Sequence, residues 1–357
     1  EPILDKKLEE FPDKDKYKKK VHDMKLLTLI EEKHKNNQEL SLYDLKFLYE
    51  VDSEIKGFGY EKDPRIEEII SKRDKRKDIA RVYSVKEDVV ALSHKEWKEN
   101  KEKIKICCGN LYLNDLKSAK GLKLPNIVIG GVSLDNLTSS EGLVLPDIIK
   151  GNLYLENLTS AKGLKLPSTI IGYLNLEKLI SAEGLKFPNT INGRLYLDSL
   201  TSAEGLILPD TMNGYLCLKG LTSAKGLKLP STITGYLNLN GLKNAKDLEL
   251  PDTINVDLDL SGLISAKDLK LPNVINGDLY LHSLTSAKDL KLPKTITGDL
   301  YLKGLTSIEG LVLPISLFGR VYSKIDIPET CFIPDEEYYK YINEDKNNEN
   351  DEGIRKI

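Results

Sequence analysis

The sequence predicts a mainly β repeat solenoid of ten 21-residue, leucine-rich coils with two short parallel strands each, preceded by a helical capping region. Three observations predict it. Prolines stand at Pro125, Pro146, Pro167, Pro188, Pro209, Pro230, Pro251, Pro272, Pro293 and Pro314, each 21 residues after the last. The pairs Leu111/Leu113, Val132/Leu134, Leu153/Leu155 and Leu174/Leu176 keep the same step through to Leu300/Leu302, so a unit G-x-L-x-L-x-x-L-x-S-A-x-G-L-x-L-P-x-x-I-x recurs from about residue 109 to 319. Residues 1–106 lack the period and carry helix-start signals instead. Self-similarity at a fixed short period is the mark of a stacked repeat architecture.

Each unit holds two L-x-L triplets, such as Leu153-Tyr154-Leu155 and Leu164-Lys165-Leu166. Period-two alternation puts both leucines inward and the middle residue outward, which predicts a strand at each triplet. Pro after the second triplet is expected to end that strand, because it has no N–H for the ladder. The Gly before the first triplet (Gly151, Gly172, Gly193) is expected to supply a backbone shape that a β-carbon forbids. One coil cannot bury its own leucines, but stacked coils make a continuous core. That core takes the triplet leucines plus columns of Ile (Ile149, Ile170, Ile191), Leu (Leu158, Leu179, Leu200) and Ala (Ala161, Ala182, Ala203). The neighbouring serines (Ser139, Ser160, Ser181, Ser202, Ser223) are expected to bond corner backbone groups. Ten coils at strand spacing give a rod about 48 Å long.

The stretch Ala161-Lys162-Gly163-Leu164-Lys165-Leu166-Pro167-Ser168-Thr169-Ile170 resembles the L-x-x-L-x-L-P-x-x-L unit of bacterial leucine-rich-repeat proteins with short repeats. The resemblance covers about residues 109–319. It departs in placing Leu158 and Leu179 where an Asn usually follows the L-x-L. It implies protein or glycan recognition in general and no particular activity.

The flanks divide the chain further. Residues 1–106 are expected to form a charged α-helical N-terminal capping domain, 107–319 the solenoid, and 320–357 a C-terminal cap with a partly disordered acidic tail. Ser41-x-x-Asp44 and Ser93-x-x-Glu96 read as capping boxes. Asp63-Pro64 followed by Glu67 places an N-cap, a first-turn proline and an acid near the positive end. A first helix is expected from about Lys16 to His34, with Val21, Met24, Leu27 and Ile30 near one face. Gly57-Phe58-Gly59-Tyr60 reads as a loop and fails as a nucleotide fingerprint for want of a strand and a third Gly. In the tail, Leu317, Phe318, Val321, Ile325 and Ile327 could close the last coil, Tyr338-Tyr339 suggests a short helix, and residues from Asp345 read as disordered.

Composition narrows the chemistry. Hydrophobic residues at 40% and charged ones at 30% fit a folded, soluble chain, and a net charge of −3 removes the simplest argument for a nucleic-acid binder. No apolar run approaches the ~18 residues of a membrane span. Four cysteines without a C-x-x-C pair fit a reducing compartment, so a cytoplasmic location is expected; any targeting signal before Glu1 would not be visible. His22, His34, His94 and His282 lie far apart with no metal-ligand spacing, so neither metal nor cofactor is expected. Catalytic motifs are lacking, and Cys217, at an outward triplet position, reads as a chance surface thiol with no base nearby. The chain is expected not to be an enzyme.

The informative residues face outward from the first triplets. Tyr112, Tyr154, Tyr173, Tyr196, Tyr215, Tyr236, Tyr280 and Tyr301 interleave there with Asn152, Asn175, Asn238, Asp257, Asp259, Asp278 and Asp299. The second triplets offer Lys123, Lys165, Lys186, Lys228, Lys270 and Lys291, with Val144, Ile207 and Val312. Tyr favours sheets of any kind and Lys keeps exposed sheets soluble, so both rows have a purely structural explanation. Interface centres favour Tyr and disfavour Lys, so a partner is expected across the Tyr/Asn/Asp side, centred on Tyr173–Tyr236. The first expectation is a non-catalytic scaffold for a protein partner, one with a basic surface opposite the Asp block. Alternatives are a carbohydrate-binding or adhesive surface protein, and the recognition half of a longer enzyme or effector that begins before Glu1.

Overall fold

A computed structural model describes residues 14–58, 62–328 and 331, and these fall into two compact units that divide after Cys108. The expected helix at Tyr338-Tyr339 and the disorder from Asp345 lie outside the described residues, as do Gly59 and Tyr60 of the proposed loop.

The first unit is helical. Helix α1 (Lys14–Lys35) covers the expected span. Helix α2 (Leu42–Leu48) opens on a complete capping box between Ser41 and Asp44. Helix α3 (Pro64–Ser71) starts at Asp63, whose carboxylate accepts from the Arg65 N–H, and α4 (Lys75–Val82) is capped by Asp74. A 3₁₀ turn (Glu87–Val89) leads into β1 (Val90–Ala91), which pairs in parallel with β2 (Ile106–Cys107) around α5 (His94–Glu99). At α5 only half of the expected box forms. Ser93 Oγ accepts from Glu96 N–H at 3.3 Å, but the Glu96 carboxylate takes Leu92 N–H at 3.0 Å and the Arg76 guanidinium at 2.7 Å. Leu27, Ile30, Leu45, Leu48, Ile79 and Trp97 are fully buried and make the core of this unit.

The second unit is a parallel β-solenoid. One sheet of eleven two- or three-residue strands runs from Leu111–Tyr112 to Val321–Ser323, each strand in register with the one 21 residues on, as Leu195 opposite Leu216. Leu155, Leu176 and Leu197 are fully buried along its inner side. The serine column does what its position predicts. In ten successive coils the oxygen of Ser or Asn, from Ser118 to Ser307, accepts the backbone N–H two residues on. The closing coil is also present, with Ser316–Leu317 and Val321–Ser323 both in strands.

The second strand of each coil is not where the sequence reading put it. It follows the proline, as in Thr169–Ile170, Thr190–Ile191 and Thr211–Met212, while Leu164–Leu166 and its equivalents carry no strand. The reason lies in the turn before it. Gly163 has φ +78° and the Leu164 N–H closes that turn on Ala161 O at 2.9 Å, so this amide is used inside its own coil. Three residues later Pro167 has no N–H to give, and ladder pairing begins only beyond it. Burial still alternates as read, with Leu164 buried and Lys165 exposed. Asp247, Asp268 and Asp289 replace the turn glycine at φ 63–65°, a conformation Asp tolerates better than most residues.

The strands after the prolines form three successive sheets, with breaks before Thr190 and before Thr253. Each break falls in the coil whose proline, Pro188 or Pro251, is half-buried; the other prolines of the series are buried. The glycine before the first triplet is required for a different reason than expected. A β-carbon on Gly193 would lie 2.3 Å from Gly172 O of the preceding coil, so close stacking of backbones, not a positive φ, excludes a side chain there.

Candidate recognition face

All eleven residues singled out from the sequence lie along the outer side of the eleven-stranded sheet. Tyr154, Tyr196, Asp259, Tyr280 and Tyr301 sit within strands; Tyr173, Tyr215, Tyr236, Asp257, Asp278 and Asp299 each sit one residue before a strand. Alternation along each strand gives both positions the same outward side, so two columns run side by side over the coils.

The aromatic rings spend their faces on one another. Tyr280 and Tyr301 stack at 4.5 Å and 9°, and Tyr301 and Tyr322 at 4.7 Å and 5°. The Arg194 guanidinium lies 4.2 Å from the Tyr215 centroid and 5.2 Å from that of Tyr173, and donates to Tyr196 Oη at 3.2 Å. Tyr215 meets Tyr236 edge-on at 5.9 Å, and Tyr236 meets Tyr280 at 6.4 Å. His282 packs its ring 5.5 Å from Tyr301, and Lys303 sits over Tyr301 and Tyr322 at 5.7 and 5.6 Å. Tyr322, His282 and Lys303 were missed in the sequence. Tyr322 follows Tyr301 by 21 residues, but Val321 and Ser323 replace the leucines that mark the earlier triplets.

The acids are tied down from within. Tyr236 Oη donates to Asp259 Oδ2 at 2.8 Å, Tyr280 Oη to Asp278 Oδ2 at 2.9 Å, and Tyr301 Oη to Asp299 Oδ2 at 3.3 Å. Burial, then these carboxylates, push the Tyr236 and Tyr280 phenols well above their ordinary range. Asp259 is only 7% exposed and also accepts Ser261 N–H at 2.9 Å, which makes it a strut of the face more than a contact point. Oδ1 of Asp257, Asp278 and Asp299 accepts the backbone N–H of Asp278, Asp299 and Arg320, respectively, in the next coil at 2.7–2.8 Å.

Two sequence readings change. Cys217 is no surface thiol: it is 8% exposed, lies in the strand between Tyr196 and Asn238, and burial with the nearby Asp198 charge pushes its thiol up to about 11. A thiol so shifted is a poor nucleophile. The Lys165 row lies on a segment without a strand instead of a second sheet, with Val144, Ile207 and Val312 exposed at the same repeat position. Among the described residues no three His, Cys, Asp or Glu side chains are grouped to hold a metal ion, and no helix is long and apolar enough to cross a membrane. Comparison with family models, with curated proteins and with solved structures finds no match to the chain.

Proposed function

We propose that the solenoid is a non-catalytic, leucine-rich-repeat-like interaction scaffold that recognises a protein partner across its Tyr/Asn/Asp face. One observation carries the reading: a chain of contacts from Tyr173 through Arg194 to Tyr215, Tyr236, Tyr280, Tyr301 and Tyr322, whose rings are ordered by Arg194, by Asp carboxylates and by each other. Side chains already held in place lose little rotamer entropy on binding, and Tyr and Arg are the residues that dominate interface energies. The same geometry argues against the glycan alternative. Sugars dock on ring faces, and here Tyr173, Tyr215, Tyr280 and Tyr301 have faces covered by Arg194 or by another ring. The Asp257–Asp299 block favours a basic stretch of the partner through a salt-sensitive field.

The test is a pair of double variants of the full chain assayed against any captured protein. Tyr196→Ala/Tyr215→Ala should weaken capture at least tenfold, whereas Lys165→Ala/Lys186→Ala on the opposite row should leave it unchanged, since hot spots rest on such aromatic anchors. Loss in the Lys pair alone overturns the assignment, and binding on a glycan array that vanishes in the Tyr pair replaces protein by sugar.

A further inference from the structure

The backbone N–H one residue before each strand of the eleven-stranded sheet from Val132 on has no ladder partner, and the chain itself shows what it takes. Asn110 Oδ1 accepts Gly131 N–H at 2.7 Å, Asn152 Oδ1 accepts Tyr173 N–H at 2.8 Å, and Asp257, Asp278 and Asp299 do the same for the coil that follows each. In each case a side-chain oxygen from the residue 21 positions earlier fills the site. In the middle of the rod that residue is Tyr173, Arg194, Tyr215 or Tyr236, none of which accepts there. The amides of Arg194, Tyr215, Tyr236 and Asp257 consequently have no acceptor among the described residues, four coils in a row. An amide left without an acceptor takes one from whatever lies against it.

We infer that this row of four amides, with the Arg194 guanidinium beside it, binds the carboxylates of an acidic peptide segment, which take the place that Asp257, Asp278 and Asp299 fill for the later coils. Three of the five internal caps are carboxylates, and hydrogen bonds to a charged acceptor are the stronger kind. Arg194 brings a positive charge to the same column, held between Tyr173 and Tyr215, and the nearby Asp198 carboxylate is already answered by Lys219 at 2.8 Å. The inference rests on the face proposed above and names what the partner presents to its centre: an acidic segment at coils 193–257, next to a basic one over the Asp block.

The experiment is an amide NMR titration of the deuterated full chain with hexaglutamate, hexaglutamine and hexalysine peptides. Hexaglutamate should move the Arg194, Tyr215, Tyr236 and Asp257 amide protons downfield and leave the capped amides of Tyr173, Asp278, Asp299 and Arg320 nearly still. Arg194→Gln should weaken that titration about tenfold, the equivalent of one charge-assisted bond. Tyr215→Asp supplies an internal acceptor to the Tyr236 N–H as Asp257 does for Asp278. This variant should shift the Tyr236 amide downfield before any peptide is added and abolish its further movement. Tyr215→Ala should do neither. Equal movement of capped and open amides, no movement, or movement with hexalysine overturns the inference, and an equal response to hexaglutamine overturns its commitment to carboxylates. A captured partner that is lost in the Tyr pair yet never perturbs the four amides breaks this inference and spares the scaffold reading. The amide response with no loss of capture in the Tyr pair does the reverse.

Discussion

Asp78 in the helical unit and Asp278 in the solenoid are both carboxylates satisfied on both oxygens, and they stabilise their surroundings differently. Asp78 is buried and takes the Arg73 guanidinium at 2.6 and 2.8 Å together with Tyr49 Oη at 3.0 Å, a set found once among the described residues. Asp278 takes a backbone N–H and a Tyr hydroxyl, and the same two bonds recur 21 residues later at Asp299. The helical unit concentrates its polar stability in a few irreplaceable clusters, also seen at Asp44, which holds Lys33 and Ser41. The solenoid adds to its few ion pairs a series of side-chain contacts to backbone N–H groups and hydroxyls that recur at the 21-residue step. In a stack of repeats a lost contact is felt by nearest neighbours, while in a small core it is felt by the whole.

The sharpest way to break that contrast is to cut one member from each region. Asp78→Ala strands a half-buried guanidinium and should cost the helical unit about 3–5 kcal/mol, whereas Asp278→Ala should cost about 1 kcal/mol. Trp97, the chain's only tryptophan and fully buried in the helical unit, reports the first loss by fluorescence in a denaturant series. Equal losses would mean that the solenoid relies on single clusters as well. Apolar deletion should still hurt the rod: Leu197→Ala in a central coil leaves a cavity and should cost about 2–5 kcal/mol, read as a lower midpoint by far-UV circular dichroism. A negligible change there would mean that neighbouring coils collapse into the space.

Acid should separate the two regions next. Burial works to raise the Asp44 pKa, but hydrogen bonds from Lys33 and Ser41 outweigh it and hold the carboxyl below its ordinary range. Arg65 does so for Asp63, and the Leu92 N–H with Arg76 for Glu96. A depressed carboxyl contributes fully above its unfolded value, near pH ~4, and loses that contribution as pH falls through its lower folded value. Trp97 fluorescence should therefore change on acidification before the dichroism of the rod does; the opposite order would refute the assignment. Alkali should not discriminate, because burial raises the phenols of Tyr49 in one unit and Tyr236 in the other, and both contributions fade as pH climbs through the raised values. The smallest effect expected is on the outer face, where Tyr196→Ala should cost about 1 kcal/mol or less. A loss matching that of Leu197→Ala would reverse the inner and outer sides of the sheet.

The coil count, the 21-residue step, the inward leucines, the serine corners, the helix starts at Ser41 and Asp63, and the columns that carry Tyr and Asp are all legible in the order of residues. Each follows from local rules: period-two alternation, turn chemistry and capping, repeated often enough to exclude chance. Everything that depends on which coil lies against which is set by the folded stack. The second strand moved past the proline because the Leu164 amide is consumed by its own turn. The glycine column answers to the backbone of the preceding coil, and Cys217 is buried by its flanking strands despite its outward position. The candidate face shows the same division. A residue's column could be read from its number, but whether its oxygen is taken by a neighbouring amide, as at Asp257, or its amide is left open, as at Arg194, depends on the residue 21 positions away, across about one strand spacing. Side-chain reach across that step is a property of the stack, and a single coil does not contain it.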